Sequence, residues 1–452
     1  MTELPEPELR TYRHHVAAYL VRYLDPQFIR FVSVMVLVGG LVFLTLANRT
    51  IEGGRNAFGW NAGADYSCFY VAGSLLNNYP AEQLYNFDLQ SELYHALLPS
   101  VPETEELPFV NPPFFALLFR PLSLLPYLTS YLIWIALSTL FYVAGFVLLR
   151  RTLGSLPAAS STNALLLALS FFPFVLECAI GGNSSAFGFF FLALALYYER
   201  CNKHTASGIA LSLCFYKPTL LLLILPMLLV GRRFQTLFGV VVGGIALAGV
   251  SILTVGWDSS VGYVQTLLNL SQMTAGAEEV FRTWKYVDLL SFSRLLLGPE
   301  SSLTWVLAAV AALVVIPILI RTWWTIDDGG EERRDLIWAS TIAWTLVLNL
   351  HVGIYDSILV VASLLLIAGV LYRRATDPST VVVGPFRWLL VLVYLTPLFS
   401  QHIARWIGFQ PFTLILAAAA AYPLYLLAGY SSRGRKTPAN YAAAIKDYRT
   451  YD

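Results

Sequence analysis

The chain predicts an all-α fold: a polytopic membrane helical bundle. Three observations lead there. Over 452 residues it is 57% hydrophobic and only 13% charged, with a mean hydropathy of +0.63, whereas a soluble domain carries about 25% charged residues. Apolar runs such as 32–47, 236–255 and 303–320 approach the ~20 residues a spanning helix needs, and such runs recur along the chain. Short basic clusters punctuate them, as the retained loops of a membrane protein do. About 10–13 membrane helices with a long first extracytoplasmic loop are expected.

The elements follow in order. Residues 1–27 carry Arg, His and Glu and are too long and polar for a cleavable signal peptide. Within them, 8–24 is amphipathic and is expected along the inner membrane surface, or packed on the inner loops. Spans are expected near 28–48, 127–149, 163–179, 184–199, 236–255, 302–320, 335–350, 355–372, 383–400 and 410–428. Residues 109–125 hold Pro112, Pro113 and Pro121 and read as a re-entrant or partly crossing helix. Residues 207–230 are broken by Lys217-Pro218, so neither half comfortably crosses ~30 Å at ~1.5 Å per residue. They read as an in-and-out pair with Lys217 at the tip.

Positive charge sets the sidedness. Arg10, Arg13, Arg22 and Arg30 place the N-terminus inside. Arg150/Arg151, Arg200/Lys203, Arg232/Arg233, Arg321/Arg333/Arg334, Arg373/Arg374 and Arg433/Arg435/Lys436 fall on the same side. The outer face then receives the segments 49–111 and 256–301, the turn at Gly182-Asn183, Lys217, the corner His351 to Asp356 and Gln401-His402. The expected organisation is a cytoplasmic segment 1–27, a transmembrane catalytic body 28–430 and a cytoplasmic tail 431–452, in the cell's inner (plasma) membrane. Loops elaborated on one face are where sites are built. No internal repeat of the transporter type is present.

Composition also excludes. A net charge of +1 gives nucleic acid no electrostatic hold. The four cysteines, Cys68, Cys178, Cys201 and Cys214, show neither zinc-site nor disulfide-framework spacing; only Cys68 and Cys178 share the outer face, where a bridge is conceivable. There is no Asp-x-Asp pair, Gly-rich phosphate loop or His-Glu-x-x-His motif, and no serine nucleophile elbow. A nucleotide-dependent reaction is disfavoured, the activated donor is expected to be a membrane lipid, and no cofactor or metal is expected.

Few residues can carry chemistry. Asp65, in Asp65-Tyr66-Ser67-Cys68-Phe69-Tyr70, is an outer-face carboxylate able to act as general base. Trp60, Tyr66, Phe69 and Tyr70 around it suit an interface or a sugar face. It reads equally as an N-cap of a helix over 66–77. Lys217 is a lone cation in an apolar stretch, a functional candidate by default and a point charge for phosphate, or else a snorkelling lysine. His351 and Asp356 bracket a corner that holds a leaving group or sugar hydroxyl, or else a structural His–Asp contact. Asn183 and Glu177 are further substrate-binding candidates with Tyr66. Arg282 and Lys285, beside Trp284, are candidates for phosphate, or solvated loop residues.

Asp65-Tyr66 with Phe69-Tyr70, Leu84-Tyr85, Asn111-Pro112-Pro113-Phe114-Phe115-Ala116-Leu117-Leu118 with Pro121, Gly182-Asn183, the Lys217-Pro218 break and His351 through Tyr355-Asp356 together resemble glycosyltransferase family 87. The resemblance runs from about residue 28 to about residue 428. It implies a GT-C-like membrane enzyme, a hexosyltransferase whose known relatives include mannosyltransferases that extend phosphatidylinositol mannosides from polyprenyl-phosphate-mannose. It further implies that Asp65 is the catalytic base and that His351 lies at the donor phosphate. The chain departs from the family at Gly182, where glutamine is common.

The expected reaction is transfer of a sugar, by family majority mannose, from a polyprenyl-phosphate donor to a glycolipid or lipid-linked acceptor, with inversion. Lys217, His351, Arg282 and Lys285 are expected at the donor phosphate, and Tyr66, Asn183, Asp356 and Glu177 at substrate. A lipid-linked sugar flippase or transporter and a membrane acyltransferase are the alternatives.

Overall fold

The computed structural model describes residues 26–47, 55–57, 61–102, 106–154, 158–274, 283–298, 301–375 and 385–433. The amphipathic segment 8–24, the tail beyond 433, Trp60 and Arg282 lie outside them. Helices are the only regular elements among the described residues, whose only β pairings are two isolated bridges. The protein is an all-α polytopic membrane protein.

Among the described residues, six helices are long and apolar enough to cross a bilayer: Gln27–Ala47, Tyr127–Leu153, Phe234–Val255, Ser302–Trp324, Ile354–Arg374 and Pro411–Gly429. A seventh span forms if Ser160–Leu169 and Pro173–Ile180, bent by 54°, count as one. This is fewer than the sequence suggests, for physical reasons. The expected span 184–199 is a helix of 16 residues, about 24 Å long. The expected span 335–350 begins earlier, with Glu331, Glu332 and Asp335 in its first turns. The expected span 383–400 breaks at Thr396-Pro397 into two helices of 11 residues, since proline removes a backbone donor.

The chain divides into two compact units. The first comprises residues 1–150, 156–190 and 250–280. Its elements include α1 (Pro26–Ala47), α2 (Ala64–Asn78), α3 (Phe87–Leu97), the start of α4 (Tyr127–Leu153), α5 (Ala158–Leu169), the start of α6 (Ser185–Arg200) and α10 (Trp257–Thr274). An aromatic core holds it together. Phe119 packs on Phe69 and Trp134 at centroid distances of 4.9 and 4.8 Å, and Tyr66 sits among Tyr127, Tyr131 and Trp134. Residues 109–125 form no crossing helix. Their longest α-helical piece is the turn Pro113–Ala116, followed by two 3₁₀ turns. The first of these 3₁₀ turns, Leu117–Phe119, lies against α2 at Gly73, where a Cβ would come within 2.4 Å of the Phe119 carbonyl.

The second unit comprises residues 151–155, 191–249 and 281–452. It carries α7 (His204–Ser212), α8 (Ile224–Val230), most of α9 (Phe234–Val255), α11 (Leu289–Leu297), α12 (Ser302–Trp324), α13 (Gly330–Val347), α14 (Val360–Arg374), α15 (Pro385–Leu395), α16 (Pro397–Ile407) and α17 (Pro411–Arg433). The break at 217 folds as expected: two 3₁₀ turns, Leu213–Tyr216 and Pro218–Leu221, flank an extended Lys217.

One end of this unit gathers the basic loops. Arg200 pairs with Glu331 and Asp335, Arg373 with the same Asp335, Arg374 with Glu332 and Arg233 with Asp327. The helix α13 rises roughly 18 Å from Asp335 to Val347, which puts the Lys217 tip and the His351 corner at its other end.

Candidate functional site

The carboxylate of Asp65 is positioned by the first unit. Asp65 does not cap α2: Gly63, in a left-handed conformation with φ 70°, occupies the cap, and Asp65 lies inside the first turn. There the helix dipole favours its charge. Its amide donates to the Gly181 carbonyl at 2.9 Å, and its Oδ2 accepts from Asn183 Nδ2 at 2.5 Å.

Asn183 has no freedom to face otherwise. Its Oδ1 accepts from the amide of Ser185 at 2.9 Å and from the Ser185 hydroxyl at 2.6 Å. With both donors on the oxygen, the amide N–H groups must point to Asp65. Gly182 makes this approach sterically open. Its φ is +74°, and a Cβ there would come within 2.6 Å of the Tyr66 Cβ. The glycine at this position is thus what lets the turn close on α2.

A row of ring donors on α4 fixes both backbones. Tyr127 donates to the Ala62 carbonyl at 2.6 Å, Tyr131 to the Ile180 carbonyl and Trp134 Nε1 to the Gly182 carbonyl at 2.7 Å. The spacing i, i+4, i+7 places the three on one helical face. That spacing was the signal available in the sequence, hidden among many interfacial aromatics.

Other expected residues of this unit take quieter places. Tyr66 is fully buried and its hydroxyl pairs with Ser130. Burial pushes its phenol up, so it is a neutral packing ring beneath Asp65. Glu177, half-buried on the π-helical segment Pro173–Ile180, takes part through its carbonyl, which accepts from the Asn183 amide at 3.1 Å. Cys68 and Cys178 are buried and form no disulfide, and burial followed by the Asp65 charge pushes the Cys68 thiol well up. Arg55 donates to the Ser100 carbonyl at 3.0 Å, and the Asn111 carbonyl accepts from Tyr85 at 2.7 Å.

The cations assemble in the second unit, where three segments join. Lys217 ion-pairs with the fully buried Asp356 at 2.5 Å and lies 4.5 Å from the Tyr355 ring centroid. Asp356 is therefore taken by Lys217 rather than by His351, and it holds the ammonium in place. Asn349 ties the same break to the corner, donating to the Thr219 carbonyl at 2.8 Å while its Oδ1 accepts from the Leu350 amide at 2.8 Å.

His351 itself has φ +57°, costly for a residue with a Cβ. The backbone is held on both sides: Leu350 N by Asn349 and Val352 N by Asp288 Oδ2 at 2.9 Å. Asp288 also caps α11 through Ser291, and Val287 N donates to the Val352 carbonyl at 2.8 Å. The imidazole stands edge-on to Tyr286 at 5.6 Å. Its outer edge is open to solvent, but the protein around it and the Arg294 charge lower its pKa. Lys285 precedes Tyr286 in this junction.

Residues 109–350 match glycosyltransferase family 87. That match covers more than half of the chain. The chain belongs to glycosyltransferase family 87. No curated protein and no solved structure matches it. Membership decides for glycosyl transfer over the carrier and acyl-transfer alternatives. Asn183, Glu177, Lys217, Lys285 and Asp288 fall inside the matched region, while Asp65, Tyr66, His351 and Asp356 lie outside it. Sequence reading missed Asn349, Asp288 and the α4 donors, none of which carries a charge in a lone apolar setting.

Proposed function

We propose that this family 87 enzyme transfers a sugar, mannose by preference, from a polyprenyl-phosphate donor to a glycolipid or lipid-linked acceptor, with Asp65 as general base. The observation that carries this reading is the Asp65–Asn183 contact. It supplies an oriented carboxylate whose position is set by backbone and side chain together, as a base requires.

The step balances as an inverting displacement. The acceptor hydroxyl gives its proton to Asp65, and its oxygen bonds to the anomeric carbon from the face opposite the phosphate. The bond from that carbon to the phosphate oxygen breaks, and polyprenyl phosphate leaves with the electron pair. Lys217, His351, Lys285 and Arg282 serve the leaving phosphate, whose growing charge cations stabilise. Asn183 and Glu177 border the acceptor side, and Asp356 keeps Lys217 extended.

The basic loops gathered at one end of the second unit favour a cytoplasmic placement of that end and of both termini. The His351 corner then faces the extracytoplasmic side of the plasma membrane, within a catalytic body of residues 28–430.

The test is mass spectrometry of membrane glycolipids with and without the protein, joined to transfer assays on Asp65→Asn. Transfer should fall by ~10²–10⁴-fold while the folded protein remains. Near-normal turnover by that variant removes Asp65 from the mechanism.

A further inference from the structure

The helix α16 carries a cation that the reaction scheme leaves unused. Arg405 stands 5.7 Å from the centroid of the Trp284 ring, and Lys285 stands 5.7 Å from the same centroid. The indole is held by its own backbone, because the fully buried Gln410 donates Nε2 to the Trp284 carbonyl at 2.9 Å. Among the described residues Arg405 has no carboxylate partner; its recorded contact is the ring.

Trp284 is two residues from Tyr286, whose ring meets His351 and whose backbone bridges to Gly353. Two residues of chain span at most about 7 Å. Arg405, Lys285 and His351 therefore lie along one short strip of the second unit. Three such groups in a row, one of them a guanidinium with no carboxylate partner among the described residues, suit an anion with several oxygens.

The rim of the strip says which anion. Next to Arg405, Trp406 and Ile407 are 78% and 72% exposed, and Phe399, seven residues before Trp406 on the same helical line, is also exposed. An arginine bordering exposed tryptophan and aliphatic side chains is the pattern of a membrane interface. A free phosphate has no use for such an edge, whereas a lipid phosphate does.

We propose that Arg405 is the outer cation of a phosphate subsite running through Lys285 to His351, and that its ligand is the phosphate of a long-chain isoprenoid lipid whose tail lies along Phe399, Trp406 and Ile407. The proposal rests on the polyprenyl-phosphate reading above and adds the point at which that lipid enters. Trp284 is the platform between the two cations, and its π face holds both in place.

The experiment measures binding without turnover, in detergent, on the full chain. Ligands are a long-chain polyprenyl phosphate, the matching polyprenol, inorganic phosphate and phosphatidylglycerol. Wild type should bind the polyprenyl phosphate much more tightly than the other three. Arg405→Gln should weaken it about tenfold or more, and Arg405→Lys should weaken it less. Unchanged affinity in Arg405→Gln, or equal competition by phosphatidylglycerol, overturns the subsite. A wild type that does not distinguish polyprenyl phosphate from polyprenol overturns the donor reading itself. A second measurement needs no variant: a photoreactive polyprenyl phosphate should label the peptide containing 397–407. Labelling confined to other peptides overturns the proposed tail position.

Discussion

Asn183 donates its side-chain amide to the Asp65 carboxylate across 2.5 Å, although 118 residues separate the two in the chain. One donor on a carboxylate orients it and favours its charged form. Asn183→Ala should therefore lower kcat about tenfold, the order of one hydrogen bond to a charged group. Asn183→Asp should do more. Two carboxylates at that distance cannot both ionise easily, so the base form of Asp65 is populated only at higher pH. The acidic limb of the pH–rate profile should move to higher pH in the aspartate variant. A profile that superimposes on wild type would separate Asn183 from the base.

The α4 donors act on Asp65 only through the turn they hold. Trp134→Phe keeps the aromatic packing and deletes the bond to the Gly182 carbonyl. Its effect on kcat should be smaller than that of Asn183→Ala. In the double variant the two effects should fail to add, because once the amide is gone the placement of its turn matters little. Full additivity of the two losses in kcat would show that Trp134 acts elsewhere.

Much of this was legible in the sequence, and the physical reasons differ from place to place. Lys217-Pro218 announced itself because a lone cation and a missing backbone donor are both costly in an apolar stretch; the structure shows the break. Asp65 stood out as a carboxylate between spans, and the helix over 64–78 formed where expected. Its cap did not, because Gly63 supplies the left-handed residue that starts the turn. Asn349 and Asp288 were illegible, since their work is to hold backbone amides brought from distant segments, and no local pattern encodes that. The expected spans outnumber the long apolar helices among the described residues for a different reason. Hydropathy averages over a break such as Thr396-Pro397, which divides one apolar run into two helices of 11 residues.

Lys217 and Asp356 form a pair that neither residue can leave alone. Asp356 is fully buried, and breaking a buried pair from one side costs about 3–5 kcal/mol. Lys217→Met should thus lower the unfolding temperature sharply as well as weaken donor use. Lys217→Met combined with Asp356→Leu should recover most of the stability, because both charges are gone, while donor use stays impaired. Thermal unfolding and transfer kinetics on the three proteins check this. Recovery of full donor use in the double variant would reduce Lys217 to a counter-ion.

Asp288 gives the corner beside His351 a pH dependence with a definite sign. Burial pushes its carboxyl up to about 6 from the ordinary 3.8, against the pull of its bonds from Ser291 and Val352. Between those values the folded protein keeps a proton that the unfolded chain has released. The folded state then binds more protons, so its stability falls as pH rises through the window. The change from 3.8 to about 6 corresponds to about 3 kcal/mol. Asp288→Asn keeps an acceptor for the Ser291 amide but cannot titrate. The stability advantage of wild type over this variant should shrink by up to that amount between pH ~4 and ~6, then stay level. Denaturant unfolding of both proteins across this range measures it. An advantage that is constant or grows with pH would mean that the three donors already hold Asp288 as a carboxylate, and that the left-handed His351 is fixed by charge rather than by a shared proton.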